Sequence, residues 1–131
     1  MTYKLLITGS RKAQPIMEAV ALKAVTRAKV NGWSIIVGDA NGIDACVQLD
    51  CCWLHVPFET YGITAQPRNI CCDKHLSLYT QVDGDYLARD RRMVELADRV
   101  FAIWNGESRG TKYTYDYAVK LGKLADIRMV K

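Results

Sequence analysis

Three segments of the chain combine glycine with hydroxyl and charged side chains, and each has the chemistry to bind an anion. The first is Thr8-Gly9-Ser10-Arg11. Gly9 lets the backbone approach a ligand closely, Ser10 can cap a helix or donate to a phosphate, and Arg11 offers a planar fork for an anion. A glycine turn with a capping serine and a solvated arginine explains the same residues without a ligand.

The second segment is Gly38-Asp39-Ala40-Asn41-Gly42-Ile43-Asp44, in which two glycines are spaced as a tight turn into a helix. Asp44 falls in the first turn of that helix, where the helix dipole favours a carboxylate. Acidic residues in nucleotide-binding crevices also accept hydrogen bonds from ribose hydroxyls, and Asp39 or Asp44 fits that role. The sequence leaves the two explanations open.

The third segment runs from Trp104 to Thr111 and leads into another helix. Free backbone N–H groups at the start of this helix, together with Ser108, Gly110 and Thr111, would cradle a phosphate. Glycine and threonine at a helix start are also ordinary capping residues, so this segment alone does not identify a ligand.

A short repeat, Cys-Cys-x-x-His, occurs at residues 51–55 and again at 71–75 and contains both histidines of the chain. Cys52, His55, Cys72 and His75 would give a tetrahedral zinc ion four ligands. Zinc sites more often use Cys-x-x-Cys hairpins, and paired cysteines also pack as small hydrophobic residues. We therefore expect no metal cofactor, and zinc at these four residues is a subordinate hypothesis.

The elements that must position these residues follow from the hydrophobic pattern. Short apolar runs alternate with amphipathic stretches of helical length, which is typical of strand-helix units and a mostly parallel sheet. We predict an α/β, Rossmann-like three-layer sandwich with five strands and helices on both faces. The predicted strands are 3–8, 33–37, 56–61, 99–104 and 124–129, and the predicted helices are 14–31, 43–54, 86–97 and 111–121.

The three polar segments each follow a predicted strand, so they should meet where the strand order of an open sheet reverses. The stretch 62–84 contains Pro67, a cysteine pair and scattered polar residues, and it shows no clear element. Long excursions of this kind are often functional.

Composition limits the class of protein. The chain has 131 residues, of which 50% are hydrophobic and 24% charged, and the mean hydropathy is −0.08. These values predict one folded domain over residues 1–131, with no membrane-spanning stretch. The net charge of +4 is spread along the chain, which favours an anionic ligand and argues against specific nucleic-acid binding. Adjacent cysteine pairs suit reduced thiols, so we expect a cytoplasmic location, in the host cytoplasm if a virus encodes the protein.

In chain order, these motifs resemble those of the SLOG superfamily, which includes YspA-like proteins, the DNA-processing protein A core and the lonely-guy phosphoribohydrolases. The motifs are Gly9-Ser10-Arg11, Gly38-x-Ala40-x-Gly42-Ile43-Asp44, Arg89-Asp90-x-x-Met93, Ala97-Asp98-x-Val100 leading to Trp104, Ser108-x-Gly110-Thr111, Tyr117-Ala118 and Gly122-Lys123. The resemblance covers nearly the whole chain and is weakest between Tyr61 and Gly84. It implies a Rossmann-like domain that binds a nucleotide or nucleotide-derived ligand, often as a homodimer or larger assembly.

Two positions depart from the pattern of the superfamily. Asp90 stands where YspA-like members usually have asparagine, so an amide becomes an acceptor-only carboxylate. Thr114 stands where the enzymes of this group place a catalytic glutamate. Threonine cannot replace that carboxylate as a nucleophile or as a stabiliser of an oxocarbenium-like state. Arg89 matches the family's arginine, and the resemblance places it at the ligand phosphate.

These observations favour binding over catalysis, with the protein sensing or sequestering a nucleotide-derived ligand such as an ADP-ribose-like or cyclic species. The phosphate would meet Ser10, Arg11 and the helix start at Gly110-Thr111, and Asp39 or Asp44 would contact the ribose. The alternative is an enzyme that cleaves or transfers at an N-glycosidic bond. Asp39, Asp44 or Asp90 would then stabilise positive charge on the sugar.

Overall fold

The computed structural model of the protein describes residues 2–70 and 77–131. Along these residues six strands and four helices follow one another: β1 (Lys4–Gly9), α1 (Pro15–Asn31), β2 (Ser34–Gly38), α2 (Ile43–Leu54), β3 (Phe58–Gly62), β4 (Ser77–Gln81), α3 (Tyr86–Leu96), β5 (Arg99–Trp104), α4 (Arg109–Lys120) and β6 (Leu124–Met129). All four predicted helices and all five predicted strands are present, and their ends differ from the prediction by two residues at most.

The strands form one parallel sheet in the order β4-β3-β2-β1-β5-β6. The predicted Rossmann-like α/β sandwich is confirmed, but among the described residues the sheet has six strands and not five. The additional strand, β4, lies inside the stretch 62–84 and pairs with β3 at the edge of the sheet. An edge strand needs no continuous apolar run, so the mixed polar residues of β4 carried no clear strand signal.

Helices cover both faces of the sheet, and each face has its own core. α1 and α2 lie on one face, where the buried residues include Ile7, Val25, Val37, Val47 and Phe58. α3 and α4 lie on the other, where they include Leu6, Ile36, Met93, Val94 and Ala118. Successive residues of a strand point to opposite faces, so the central strands need apolar side chains throughout.

The starts of three helices follow local sequence signals. Pro15 opens α1 at a position where its missing N–H costs no hydrogen bond. Asp85 caps α3 by accepting a hydrogen bond from the Ala88 N–H at 2.8 Å. Ser108 caps α4 in the same way. Because α3 and α4 each follow a strand, these capped ends lie at the carboxyl edge of the sheet.

None of the helices within residues 2–70 and 77–131 is long and apolar enough to cross a membrane.

Candidate functional site

A cleft of about 710 Å³ lies between the loops that follow β1 and β5. The chain runs outward from β1 through β2, β3 and β4 and then returns to build β5 and β6 on the other side, so the strand order reverses between β1 and β5. Open parallel sheets bind ligands at this point. The lining residues are Thr8, Gly9, Ser10, Arg11, Lys12, Ala40, Asp44, Asp85, Tyr86, Leu87, Arg89, Asp90, Asn105, Glu107, Ser108, Arg109 and Gly110.

The loop after β1 is packed closely against the start of α2. A Cβ atom on Gly9 would lie 2.6 Å from the Ile43 side chain, so only glycine fits there. Gly42 has φ of +78°, and a Cβ on it would collide with the carbonyl oxygens of Ser10 and Arg11. The Ile43 N–H donates to the Ser10 carbonyl at 3.0 Å. These contacts fix the position from which Ser10 faces the cleft.

Ser10 connects the two loops that border the cleft. Its Oγ accepts hydrogen bonds from the Lys12 backbone N–H at 3.2 Å and from Asn105 Nδ2 at 3.1 Å. The residue is buried, and its own hydroxyl hydrogen has no acceptor in the part of the chain that the structure describes. Ser10 therefore presents one donor for a ligand in the cleft.

The loop after β5 presents the start of α4 to the cleft. Asn105 Oδ1 accepts hydrogen bonds from the backbone N–H groups of Glu107 (2.9 Å) and Ser108 (2.8 Å), which holds the loop in a turn. Ser108 Oγ accepts from the Thr111 N–H at 3.4 Å. The N–H groups of Arg109 and Gly110 have no acceptor among residues 2–70 and 77–131. Two free N–H groups and the positive end of the helix dipole therefore line the cleft.

Three cationic side chains border the opening of the cleft, and we call Arg11, Lys12 and Arg109 the rim cations. All three are exposed, and none forms an ion pair with a described residue. Unpaired cations beside free helix N–H groups make an anion site with both charge and directed donors.

A buried charge cluster lies beneath the cleft, formed by Asp39, Asp44, Asp90, Arg68 and Arg89. Asp39 is fully buried, and its Oδ1 accepts from Arg68 Nε (3.2 Å), Arg68 Nη2 (3.0 Å) and Arg89 Nη1 (3.0 Å). Its Oδ2 accepts from the Arg68 backbone N–H at 2.9 Å. Both carboxylate oxygens are thus used within the protein, and Asp39 does not line the cleft.

Arg89 joins Asp39 to Asp90. Its Nε and Nη2 donate to Asp90 Oδ1 at 3.1 and 2.8 Å, while its Nη1 contacts Asp39. Burial disfavours the charge on Arg89, but the attraction of Asp90, Asp44 and Asp39 outweighs it and raises the pKa. The arginine expected at the ligand phosphate is therefore already neutralised by carboxylates, although part of it lines the cleft.

The third carboxylate of the cluster, Asp44, accepts no hydrogen bond from a guanidinium group of the described residues. Its Oδ2 accepts from the Ala40 N–H at 3.1 Å. Burial raises the pKa of Asp44 from 3.8 to about 7, and the attraction of Arg89 offsets only part of this effect. Burial also raises the pKa of Asp90, against the opposing effect of Arg89. At neutral pH, Asp44 is poised between a carboxylic acid that donates and a carboxylate that only accepts.

An aromatic residue at the start of α3 stacks on both arginines of the cluster. The guanidinium carbons of Arg68 and Arg89 lie 3.9 and 4.9 Å from the centre of the Tyr86 ring. Such contacts stabilise a cation over the face of the ring. Tyr86 lines the cleft, so this stack forms part of the wall.

Eight of the residues predicted to contact the ligand line the cleft: Gly9, Ser10, Arg11, Asp44, Arg89, Asp90, Ser108 and Gly110. Five do not: Gly38, Asp39, Gly42, Trp104 and Thr111. Gly38 lets Asp44 and Arg89 pack against the end of β2, since a Cβ there would lie 2.5 and 2.9 Å from their polar atoms. Trp104 Nε1 donates to the Ser108 carbonyl at 2.9 Å. These five residues shape the loops that border the cleft.

Several lining residues were missed by sequence reasoning. Lys12 directly follows Arg11, and this adjacency was the available signal. Asn105 lies within the third segment, but no ligand contact was assigned to it. Tyr86 lies three residues before Arg89, one helical turn away, so the two residues share a face of α3. Arg68 lies in the stretch 62–84, and no local pattern linked it to Asp39.

The zinc hypothesis stays a prediction. Cys52 lies near the end of α2 and His55 directly after it, at the edge of the sheet opposite the cleft. Cys72 and His75 lie outside the described residues. Residues 2–70 and 77–131 contain no group of three or more potential metal ligands.

Comparison with solved structures finds the same fold in proteins of low sequence identity. A molybdenum cofactor binding protein from the phototrophic bacterium Rippkaea orientalis has a TM-score of 0.81 at 16% identity, over 100% of this chain and 78% of that one. The molybdenum cofactor carrier protein of Chlamydomonas reinhardtii has a TM-score of 0.74 at 14% identity, over 97% and 76%. DNA processing protein A from Helicobacter pylori, known for a single-stranded DNA binding mode, has a TM-score of 0.70 at 19% identity, over 98% and 66%.

These similarities define the class of fold. The protein shares the Rossmann-like α/β fold of these proteins, as its sequence pattern predicted. No family model and no curated protein matches the sequence.

Proposed function

We propose that the cleft between β1 and β5 binds a phosphorylated, nucleotide-derived ligand and retains it without turnover. The observation that carries the proposal is the convergence of unpaired donors on one side of the cleft. The Ser10 hydroxyl, two N–H groups at the start of α4 and the rim cations all lack partners in the described chain. A phosphate satisfies donors of this kind.

The opposite side of the cleft suits the sugar of such a ligand. Asp44 and Asp90 both line it, and a carboxylate accepts hydrogen bonds from ribose hydroxyls. We do not assign this role to Asp39, because it does not line the cleft and both of its oxygens are bonded to Arg68 or Arg89. Of the two residues that the sequence offered for the ribose contact, we therefore propose Asp44, with Asp90 beside it.

Retention without turnover is supported by position 114. Thr114 is buried, and its Oγ1 donates to the Gly110 carbonyl one turn earlier in α4, at 2.8 Å. It does not line the cleft. The position that would carry a catalytic carboxylate in an enzyme of this class thus carries a hydroxyl that is engaged by the Gly110 carbonyl and by the Asp90 carboxylate.

Isothermal titration calorimetry against ADP-ribose, AMP, cyclic AMP, ribose 5-phosphate and inorganic phosphate tests this proposal. The molybdenum cofactor joins the panel because two structural neighbours bind or carry it. Nucleotide-derived ligands should bind more tightly than ribose 5-phosphate or phosphate alone. If the protein is folded but binds none of the nucleotides, the proposal is refuted. If it binds the molybdenum cofactor alone, the ligand of the cleft is another phosphorylated compound and not a nucleotide.

A matched pair of variants locates the binding. Arg11→Met removes a rim cation, whereas Lys29→Met removes one positive charge from the far end of α1 and leaves the cleft unchanged. We expect R11M to weaken binding by roughly tenfold and K29M to leave it within about twofold, since a charge-assisted contact contributes on the order of 1.4 kcal/mol or more. Equal losses in the two variants would show that only the net charge matters.

A second candidate function is hydrolysis or transfer at an N-glycosidic bond. The observation that favours it is that two carboxyl groups, Asp44 and Asp90, line the same cleft, and that the pKa of Asp44 is raised to about 7. Such a pair can supply an acid and a charge-stabilising carboxylate. Chromatography would detect free base released from a nucleoside monophosphate. If D44N and D90N both still release free base, neither residue takes part in the mechanism.

A further inference from the structure

The outer edge of β6 has no partner strand in the part of the chain that the structure describes. β6 forms one end of the sheet, and among the described residues it pairs only with β5. The Val130 N–H donates to the Trp104 carbonyl at 2.7 Å, toward β5. Backbone groups of alternate residues in a strand point to the same side, so Ala125, Ile127 and Met129 direct their N–H and C=O groups outward.

The side chains of β6 carry opposite charges two residues apart. Asp126 and Arg128 are both exposed and share one face of the strand with Leu124. Asp126 accepts from Arg99 Nη2 at 3.1 Å, whereas Arg128 forms no ion pair with a described residue. The opposite face of β6 carries Ala125, Ile127 and Met129, which are apolar.

We infer that two copies of this chain associate through β6, paired antiparallel about a two-fold axis at Ile127. In this register Ile127 lies opposite Ile127 of the second copy. Asp126 lies opposite Arg128 of that copy, and Arg128 opposite its Asp126. The same surface on both copies is then self-complementary, as a two-fold interface requires.

The backbone permits this register, and the charged side chains select it. The outward N–H and C=O groups of Ala125, Ile127 and Met129 meet as hydrogen-bonded pairs, Ile127 with Ile127 and Ala125 with Met129. Asp126 and Arg128 then form the non-hydrogen-bonded pairs, in which side chains approach more closely. A two-fold axis at residue 126 or 128 would instead place like charges opposite each other.

The other edge of the sheet lacks this pattern. β4 has the sequence Ser-Leu-Tyr-Thr-Gln and carries no charged side chain that would fix a register. In the β6 pair the two sheets run in opposite directions, so the two clefts open at opposite ends of the dimer. Each copy should therefore bind its ligand independently, and the association does not depend on the identity of that ligand.

Sedimentation velocity over a concentration series tests the inference with charge variants. The wild-type protein should dimerise, with a dissociation constant on the order of micromolar for so small an interface. Asp126→Arg places two arginines opposite two arginines, and Arg128→Asp places two aspartates opposite two aspartates. Each change should raise the dissociation constant by roughly tenfold or more, since two attractive pairs become repulsive.

Mixing the two single variants gives the sharpest result. In a 1:1 mixture of D126R and R128D, each arginine of one chain faces an aspartate of the other, so a heterodimer should form with near wild-type affinity. The double variant with both changes should likewise dimerise as the wild type does. This recovery separates pairing of β6 from a loss of folding, which mixing could not repair.

Asp116→Arg is the matched control. Asp116 is as exposed as Asp126, with 56% and 55% of the side chain accessible, and it also forms an ion pair within the chain, with Lys112. It lies on α4, away from the edge of β6, so D116R should dimerise as the wild type does. A wild-type protein that stays monomeric at millimolar concentration overturns the inference. Single variants that dimerise normally, or a mixture that fails to recover, overturn it equally.

Discussion

The substitution Asp44→Asn should make the stability of the protein depend differently on pH. Asparagine keeps the shape of the protonated carboxyl group and can still accept from the Ala40 N–H, but it cannot ionise. In the wild-type protein, burial raises the pKa of Asp44 from 3.8 to about 7. The folded protein therefore holds a proton on Asp44 over a pH range in which the unfolded chain has already released it.

The sign and the size of the change in the free energy of unfolding follow from this difference between the two pKa values of Asp44. Below pH 3.8 Asp44 is protonated in both the folded and the unfolded protein, so its ionisation does not change the free energy of unfolding. As the pH rises above that value, ionisation stabilises only the unfolded chain, so the folded state loses stability until the pH reaches about 7. Each pH unit changes the free energy of unfolding by about 1.4 kcal/mol, which gives a total of about 4 kcal/mol.

Urea unfolding of both proteins at pH 4 to 8, followed by tryptophan fluorescence, measures this effect. D44N and the wild type should be about equally stable near pH 4, and D44N should be more stable by up to about 4 kcal/mol at pH 7.5. Asp116→Asn, an exposed change on α4, should stay within about 0.5 kcal/mol of wild type at each pH. A difference between D44N and wild type that does not change with pH would refute the reasoning.

Three further results are expected. Arg68→Met removes the two guanidinium hydrogen bonds to Asp39, keeps the one from the backbone N–H of residue 68, and should lower the free energy of unfolding by about 1 to 2 kcal/mol in urea titrations. An unchanged midpoint would contradict this. In thermal melts, Gly9→Ala should destabilise by about 1 to 3 kcal/mol, because the added methyl group overlaps α2. Gly110→Ala meets no atom of a described residue within 4 Å and should not destabilise. The reverse order would contradict the packing. If ionised Asp44 accepts from a ribose hydroxyl, calorimetry should show roughly tenfold tighter ligand binding at pH 8 than at pH 6, and D44N should abolish this dependence.

The layers of the fold were predictable because the central strands are buried on both faces. Continuous apolar runs such as Leu5-Leu6-Ile7 have no other common explanation at that length. β4 escaped prediction because it lies at an edge, half in solvent, and its residues need not be apolar. Hydrophobic periodicity reports burial, so it detects a strand only where the fold buries it.

The candidate site was predictable only in part, because sequence motifs show which residues lie near an edge of the sheet and not which of them face outward. Asp39 and Asp44 both follow β2 and offer the same carboxylate chemistry. Arg68, brought close by the chain between β3 and β4, binds both oxygens of Asp39 and leaves Asp44 at the cleft. That choice depends on a contact 29 residues away in sequence.

The charge preference of the cleft follows from how the buried charge cluster is balanced. Asp39 and Asp90 offset the charges of Arg68 and Arg89, so with Asp44 protonated the cluster has no net charge. Arg89 therefore stabilises the wall of the cleft and contributes little to the attraction of a phosphate. The attraction comes from the rim cations and the start of α4, which have no partners among residues 2–70 and 77–131. Ionisation of Asp44 would add one negative charge beneath them and would weaken anion binding unless the ligand also supplies a donor to that carboxylate.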